Sequence, residues 1–215
     1  MMFFKKQRLP QMPRAEEILP GRPNPIFDVG SHEILGRPLL PPYPEGYQKA
    51  VLGLGCFWGA ERAFWREEGV YVTAVGYAGG STPHPTYDEV CSGLTGHAES
   101  ILIVFNPIQV SYAQLLKKFF EIHDPTQGMR QGNDIGTQYR SMIMTFSEKH
   151  REVANAAKMR FQKILEREAG QKIVTTEVVE GGDFYFAEPE HQQYLARNPN
   201  GYCGLKGLGF SMGDF

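Results

Sequence analysis

The sequence predicts one α+β domain on a split βαβ (ferredoxin-like) core, with helices packed on a mainly antiparallel sheet and long extensions at both ends. Three observations carry this. Between residues 49 and 146 the hydrophobic pattern runs strand–helix–strand twice. Prolines recur at positions 10, 13, 20, 23, 25, 38, 41, 42 and 44, so long helices and central strands are excluded there. The last stretch is rich in glycine and has no periodicity. These shifts divide the chain into a proline-rich arm (1–48), a catalytic α+β domain (49–197) and a glycine-rich tail (198–215). The arm carries scattered apolar residues, Ile26, Phe27, Leu39 and Leu40, and is expected to wrap on the domain; a disordered tail is the alternative.

Each element has a local reason. Residues 49–55 form a short apolar strand, and 57–68 a helix with Phe57, Ala60, Phe64 and Trp65 on one side and Gly69 as its stop. Residues 70–77 are β-branched and aromatic and end at Gly79-Gly80. Past Pro83 and Pro85 a helical turn spans 87–91, with Cys91 assigned to the core by its apolar neighbours. The strand at 97–105 stops at Asn106-Pro107. Ser111 and Gln114 form a capping box for a helix running to His123. Residues 124–138 make a polar loop longer than a plain connection needs, and such loops are often functional. A strand at 139–146 and a helix capped by Ser147 and closed by Gly170 follow. Further strands are expected at 172–180 and 184–186, then a short helix at 190–195.

Composition narrows the chemistry. With 215 residues, 41% hydrophobic and 21% charged, the chain is an ordinary globular protein, and its net charge of −2 argues against nucleic-acid or anionic-membrane partners. No apolar run approaches the ~20 residues that span a bilayer. Met1 to Lys6 lack the layout of a signal peptide, so the cytoplasm is the expected location. Cys56, Cys91 and Cys203 are too few for a disulfide framework, and with no CxxC pair or HExxH a zinc site is not expected. One functional pair with one bystander remains possible, and in a reducing compartment such a pair is catalytic.

Cys56 sits where a strand hands over to a helix, in Gly55-Cys56-Phe57-Trp58-Gly59. Unpaired N–H groups and the helix dipole at that point favour a thiolate. The alternative is a buried cysteine in a core turn. Glu99 lies among apolar residues: buried, it would hold a proton at neutral pH, and on a half-exposed strand it would be solvated. Tyr87, Tyr139 and Asp134 each flank or occupy a loop, and each taken alone has a packing or turn-forming reading. His97 as a base for Cys56 has nothing in the sequence to bring the two together. Cys203, among glycines, has the freedom to resolve an oxidised cysteine elsewhere, or is a free thiol in a loose tail.

Taken together, four blocks in order resemble the peptide methionine sulfoxide reductase A family over about residues 50–209. They are Gly55–Gly59, Thr86–Glu99, His123-Asp124-Pro125 with Gln131–Ser141, and His191–Leu195 with Gly201-Tyr202-Cys203-Gly204. The resemblance implies a two-layer sandwich and thiol-dependent reduction of the S epimer of methionine sulfoxide, free or in oxidised proteins. By the same resemblance Cys56 is the nucleophile and becomes a sulfenic acid. Protonated Glu99 with Tyr87 and Tyr139 binds the sulfoxide oxygen, Phe57 and Trp58 hold the methyl group, and Asp134 supports the site. Cys203 closes a disulfide with Cys56 that thioredoxin reduces, with no bound cofactor or metal and a monomeric enzyme expected. Where some members carry a further recycling cysteine this chain has Ser211, which implies a two-cysteine cycle. The competing reading is a non-catalytic binder of thioether or sulfoxide groups, which has no use for both Cys56 and Cys203.

Overall fold

The computed structural model describes residues 10–215; residues 1–9, the start of the predicted arm, lie outside the described residues. The elements are β1 (Gln48–Leu54), α1 (Phe57–Phe64), β2 (Val70–Ala78), α2 (Tyr87–Cys91), β3 (Ala98–Phe105), α3 (Tyr112–Ile122), β4 (Arg130–Gln131) and β5 (Asp134–Ile135). They continue with β6 (Ser141–Thr145), α4 (Glu148–Glu168), β7 (Glu177–Glu180), β8 (Phe184–Phe186) and α5 (Tyr194–Arg197). Caps act where the sequence places them: Ser111 accepts from the N–H of Gln114 at the start of α3, and Ser147 from that of His150 at the start of α4.

Six strands form one sheet in the order β7–β6–β1–β3–β2–β8. Leu52 faces Ile101 across β1–β3, Leu54 faces Ser141 across β1–β6, and Tyr77 faces Glu99 across β2–β3, all antiparallel. The β2–β8 pair is antiparallel too, but β6–β7 is parallel. The sheet is therefore mixed, with four of its five strand pairs antiparallel and one parallel. The chain passes from β6 to β7 through α4, and a helical crossover returns the next strand in the same direction.

Central strand β3 is buried along its whole length, because both faces of the sheet are covered. On one face α1, α3 and α4 pack Phe57, Phe64, Phe119, Phe120 and Phe161 against Leu52, Ile101 and Ile103. On the other, Val29 and Leu39 of the arm, with Phe27, Tyr43 and Tyr47, close over Val72, Leu102, Val104 and Met142. Ile26 and Leu40 of the arm face solvent.

Four boundaries depart from expectation. Helix α1 stops at Phe64 because the chain tightens into turns, Glu67 N–H to Phe64 O and Val70 N–H to Glu67 O, before Gly69 takes φ +86°. Only Glu177–Glu180 of the strand at 172–180 joins the sheet. Val174 N–H is taken by the Gln162 side chain, Thr175 N–H by Pro125 O and Thr176 O by Lys158, so those groups are lost to a ladder. The loop at 124–138 holds the β4–β5 hairpin and a 3₁₀ turn, Thr137–Tyr139. The last short helix starts at Tyr194, after Gln193 adopts the left-handed φ of +48°.

Candidate active site

Strand β1 delivers the chain to the site through Gly55, whose φ is +95°. A Cβ there would stand 2.6 Å from Cγ of Gln131, so glycine answers both the turn and the close approach. Cys56 follows as the N-cap of α1 and is buried. The N–H of Phe57 donates to Oε2 of Glu99 (3.0 Å). Burial pushes the Cys56 thiol well above its ordinary value, and charge on Glu99 would push it further; the N–H groups of Trp58 and Gly59 pull the other way. The expected resting thiolate is thus corrected. Desolvation outweighs the helix start, and the group rests as a thiol.

Glu99 is 2% exposed, since β3 has no open face for it to reach. Burial pushes its carboxyl up to about 8 against the Phe57 N–H that favours the charged form, so it carries a proton at neutral pH. Oε1 has no hydrogen-bond partner among the described residues. The phenols of Tyr87 and Tyr139 are both raised, by burial first and by Glu99 second, so each remains an O–H donor.

Each tyrosine is held from behind. Tyr87 opens α2 next to the Thr86–Glu89 capping box, and its N–H donates to Oε1 of Glu188 (2.7 Å) while Tyr77 O–H donates to Oε2 (2.8 Å). Tyr139 ends the 3₁₀ turn fixed by the buried Arg140, whose guanidinium donates to Thr137 O (3.0 Å), Gly79 O (3.2 Å) and Glu177 (3.0 Å). Glu188 and Arg140 carry no sequence signal for these roles, because both act through chain segments distant in sequence.

Phe57 is buried, with its ring 6.4 Å from that of Tyr87. The Trp58 ring stacks on Tyr194 at 4.0 Å, and its indole N–H donates to Nδ1 of His191 (3.3 Å). The His191 ring in turn lies 4.4 Å from that of Tyr87. Phe57, Trp58, Tyr87, His191 and Tyr194 therefore form one aromatic wall.

Asp134, in β5, accepts the Tyr202 hydroxyl at Oδ2 (3.0 Å). That bond brings the next residue, Cys203, over the first turn of α1: a Cβ on Gly59 would stand only 2.7 Å from its sulfur. Cys56 and Cys203 are both free thiols. The tail is anchored beyond them, with Met212 buried, its N–H on Glu121 and its carbonyl on Arg160. One sequence reading fails here. Cys91 is exposed rather than core. His97 is no base for Cys56, because Nδ1 accepts the Gly80 N–H (3.0 Å) and Nε2 faces Thr82 O (2.8 Å).

A shielded thiol, a proton-bearing carboxyl, two phenol donors and an aromatic wall suit a small apolar group that carries one strongly accepting oxygen. A second thiol stands on the same helix turn as the first.

The sequence profile of the family described as peptide methionine sulfoxide reductase matches residues 48–209. Peptide methionine sulfoxide reductase MsrA 2 of Nostoc sp. is 57% identical over 205 residues, covering 95% of this chain and 90% of that relative. Peptide methionine sulfoxide reductase MsrA of Azorhizobium caulinodans is 56% identical over 210 residues, covering 98% and 95%. Among solved structures, methionine sulfoxide reductase A of Corynebacterium diphtheriae superposes with a TM-score of 0.84 at 42% identity, covering 90% of this chain and 94% of that one. Mxr1 from Saccharomyces cerevisiae in reduced form gives 0.67 at 34% identity, covering 77% and 93%.

Proposed function

The chain belongs to the peptide methionine sulfoxide reductase family, and from that premise we propose that it reduces the S epimer of methionine sulfoxide through Cys56, Glu99 and Cys203. The observation that carries the assignment of roles is the buried, protonated Glu99 held one peptide from Cys56 by the Phe57 N–H. The sulfoxide oxygen accepts hydrogen bonds from Glu99, Tyr87 and Tyr139, which draws electron density from its sulfur. Phe57 and Trp58 hold the S-methyl group, a soft contact between sulfur and aromatic rings.

The Cys56 sulfur attacks the sulfoxide sulfur. Glu99 gives its proton to the sulfoxide oxygen and receives the one that leaves the thiol. The oxygen, as hydroxyl, then passes to the Cys56 sulfur as the new sulfur–sulfur bond breaks, its electron pair leaving with methionine. In balance, one thiol and one sulfoxide become one sulfenic acid on Cys56 and one methionine. Cys203 then condenses with the sulfenic acid, forming the sulfur–sulfur bond and releasing water. Thioredoxin, a dithiol, returns both cysteines to thiols and is itself oxidised. Ser211 in place of a third cysteine supports direct reduction of the Cys56–Cys203 disulfide. Free and protein-bound methionine sulfoxide both enter this scheme, with no resident cofactor. Three scattered cysteines, too few for a disulfide framework, suit a reducing cytoplasm. No helix among the described residues is long and apolar enough to cross a membrane. The strand order β6–β1–β3–β2 supports reading the sheet's centre as the split βαβ arrangement.

Cys56→Ser tests the assignment. It is expected to abolish release of methionine from methionine sulfoxide while the variant melts within a few degrees of the parent. Multiple turnovers by that variant would remove Cys56 from the mechanism.

A further inference from the structure

Behind the aromatic wall lies a polar cluster that the proposed reaction does not use. Glu61, on α1 below Trp58, is fully buried, as are Thr73, His32 and Gln193. Its Oε2 accepts the Gln193 backbone N–H (2.8 Å), and its Oε1 accepts the Gln193 side-chain amide (2.7 Å) and the Thr73 hydroxyl (3.2 Å). His32, from the arm, accepts the N–H groups of Ile34 and Leu35 at Nδ1, so Nε2 carries the proton and donates to Thr73 Oγ1 (3.0 Å). Burial pushes the Glu61 carboxyl up to about 7, and the donors from Gln193 and Thr73 pull the other way, because each hydrogen bond it receives favours the charged form. Gln193 is fixed further by Glu33 N–H on its Oε1 (3.2 Å), and adjoining Gln192 is bonded to both backbone groups of Val75.

The consequence lies at the neighbours of Gln193. Two residues before it is His191, which takes the Trp58 indole N–H, and one residue after it is Tyr194, which stacks on Trp58. Gln193 sits in the left-handed region at φ +48°, which turns the chain between the two rings. We propose that Glu61 is a positioning residue: its carboxylate clamps Gln193 to α1, and that clamp holds the His191 and Tyr194 rings against Trp58. This rests on the reductase reading, in which Trp58 is part of the methyl pocket. The clamp therefore sets how well the sulfoxide is bound rather than how fast sulfur is attacked.

The test uses the full chain carrying W65F, which leaves Trp58 as its one tryptophan, with dithiothreitol as reductant and free methionine sulfoxide as substrate. In E61Q an amide N–H₂ meets donors that have lost their acceptor. KM is expected to rise about tenfold with kcat within about threefold of the parent, and Trp58 emission to move to longer wavelength. In E61Q/Q193E the amide now at position 61 donates to the carboxylate at 193 and accepts its backbone N–H, so both bonds of the clamp return and only that of Thr73 is lost. Its KM is expected to return to within about threefold of the parent, together with the emission. Should E61Q fail to fold, Q193N, which tolerates the left-handed backbone but is too short to reach Glu61, gives the same KM rise and emission shift. An unchanged KM and emission in the single variant that folds overturns the proposal. So does a loss in E61Q that the double exchange leaves unrelieved. A parent protein without reductase activity overturns the reductase reading instead, and the emission then judges the clamp by itself.

Discussion

Burial holds the Cys56 thiol protonated, and one peptide away Glu99 holds a proton of its own. Two neutral acids side by side make a stable resting site, and neither is reactive until an acceptor oxygen draws on the Glu99 proton. That arrangement dictates a pH dependence. Glu99 titrates near 8, so its acid form is complete well below that value and is lost as pH rises through it. The single-turnover rate of methionine release is expected to be flat below about pH 7 and to fall tenfold per unit above about pH 9. Glu99→Gln keeps a donor but has no proton to give. At pH 7 its single-turnover rate is expected to drop by about 10²–10⁴ and to show no inflection near pH 8. Stopped quench measurements from pH 6 to 10 check both, and a parental rate in the variant at pH 7 removes Glu99 from the acid role. The sequence left Glu99 open between a buried and a solvated strand residue, since neighbouring Ile101, Leu102 and Ile103 fit either. What decides it is distant in the chain: Glu99 shares the face of Ile101 and Ile103, which the helices cover, and the N–H of Phe57 in α1 meets its carboxyl there.

Helix α1 does more than follow Cys56, because its first turn is also the seat of the second thiol. Gly59 has no side chain where the sulfur of Cys203 stands, and Ala would place a Cβ 2.7 Å from it. Gly59→Ala raises helix propensity by about 1 kcal/mol, so the variant is expected to melt no lower than the parent. Yet closure of the Cys56–Cys203 disulfide is expected to slow at least about tenfold, with methionine release in the first turnover unchanged. Following both products after mixing with one equivalent of methionine sulfoxide checks this, and parental closure would show that Cys203 reaches Cys56 by another path. Elements were legible where the signal was local. The Ser111–Gln114 box starts α3, and the apolar run of β1 ends at Gly55. They were illegible where a distant group competed for the backbone. Residues 172–176 have strand composition but spend their hydrogen bonds on Gln162, Lys158 and Pro125. The left-handed Gln193 delays the last helix in the same way, because Glu61 holds its backbone N–H.

At the scale of the whole molecule, the helices cover one face of the sheet and the proline-rich arm the other. Leu39 is wholly buried there, whereas Leu40 beside it is 44% exposed. Leu39→Ala is expected to cost about 2–5 kcal/mol in unfolding free energy, and Leu40→Ala under about 1 kcal/mol. Equal effects in urea titrations would mean that the arm does not share the core. The arm also reaches the buried cluster beneath Trp58, through His32 to Thr73 and Glu61. The alternation of strands and helices made the domain legible, but no local pattern in the arm indicates which leucine it buries. In the proposed cycle one substrate oxygen is exchanged for one bond between Cys56 and Cys203. Peptide mass spectrometry after one equivalent of methionine sulfoxide, with free thiols blocked, reads that exchange directly. A Cys56–Cys203 linked peptide pair is expected, with Cys91 carrying the blocking group and one methionine released per chain. A linkage through Cys91, or methionine released with Cys56 still blocked as a thiol, would rule the cycle out.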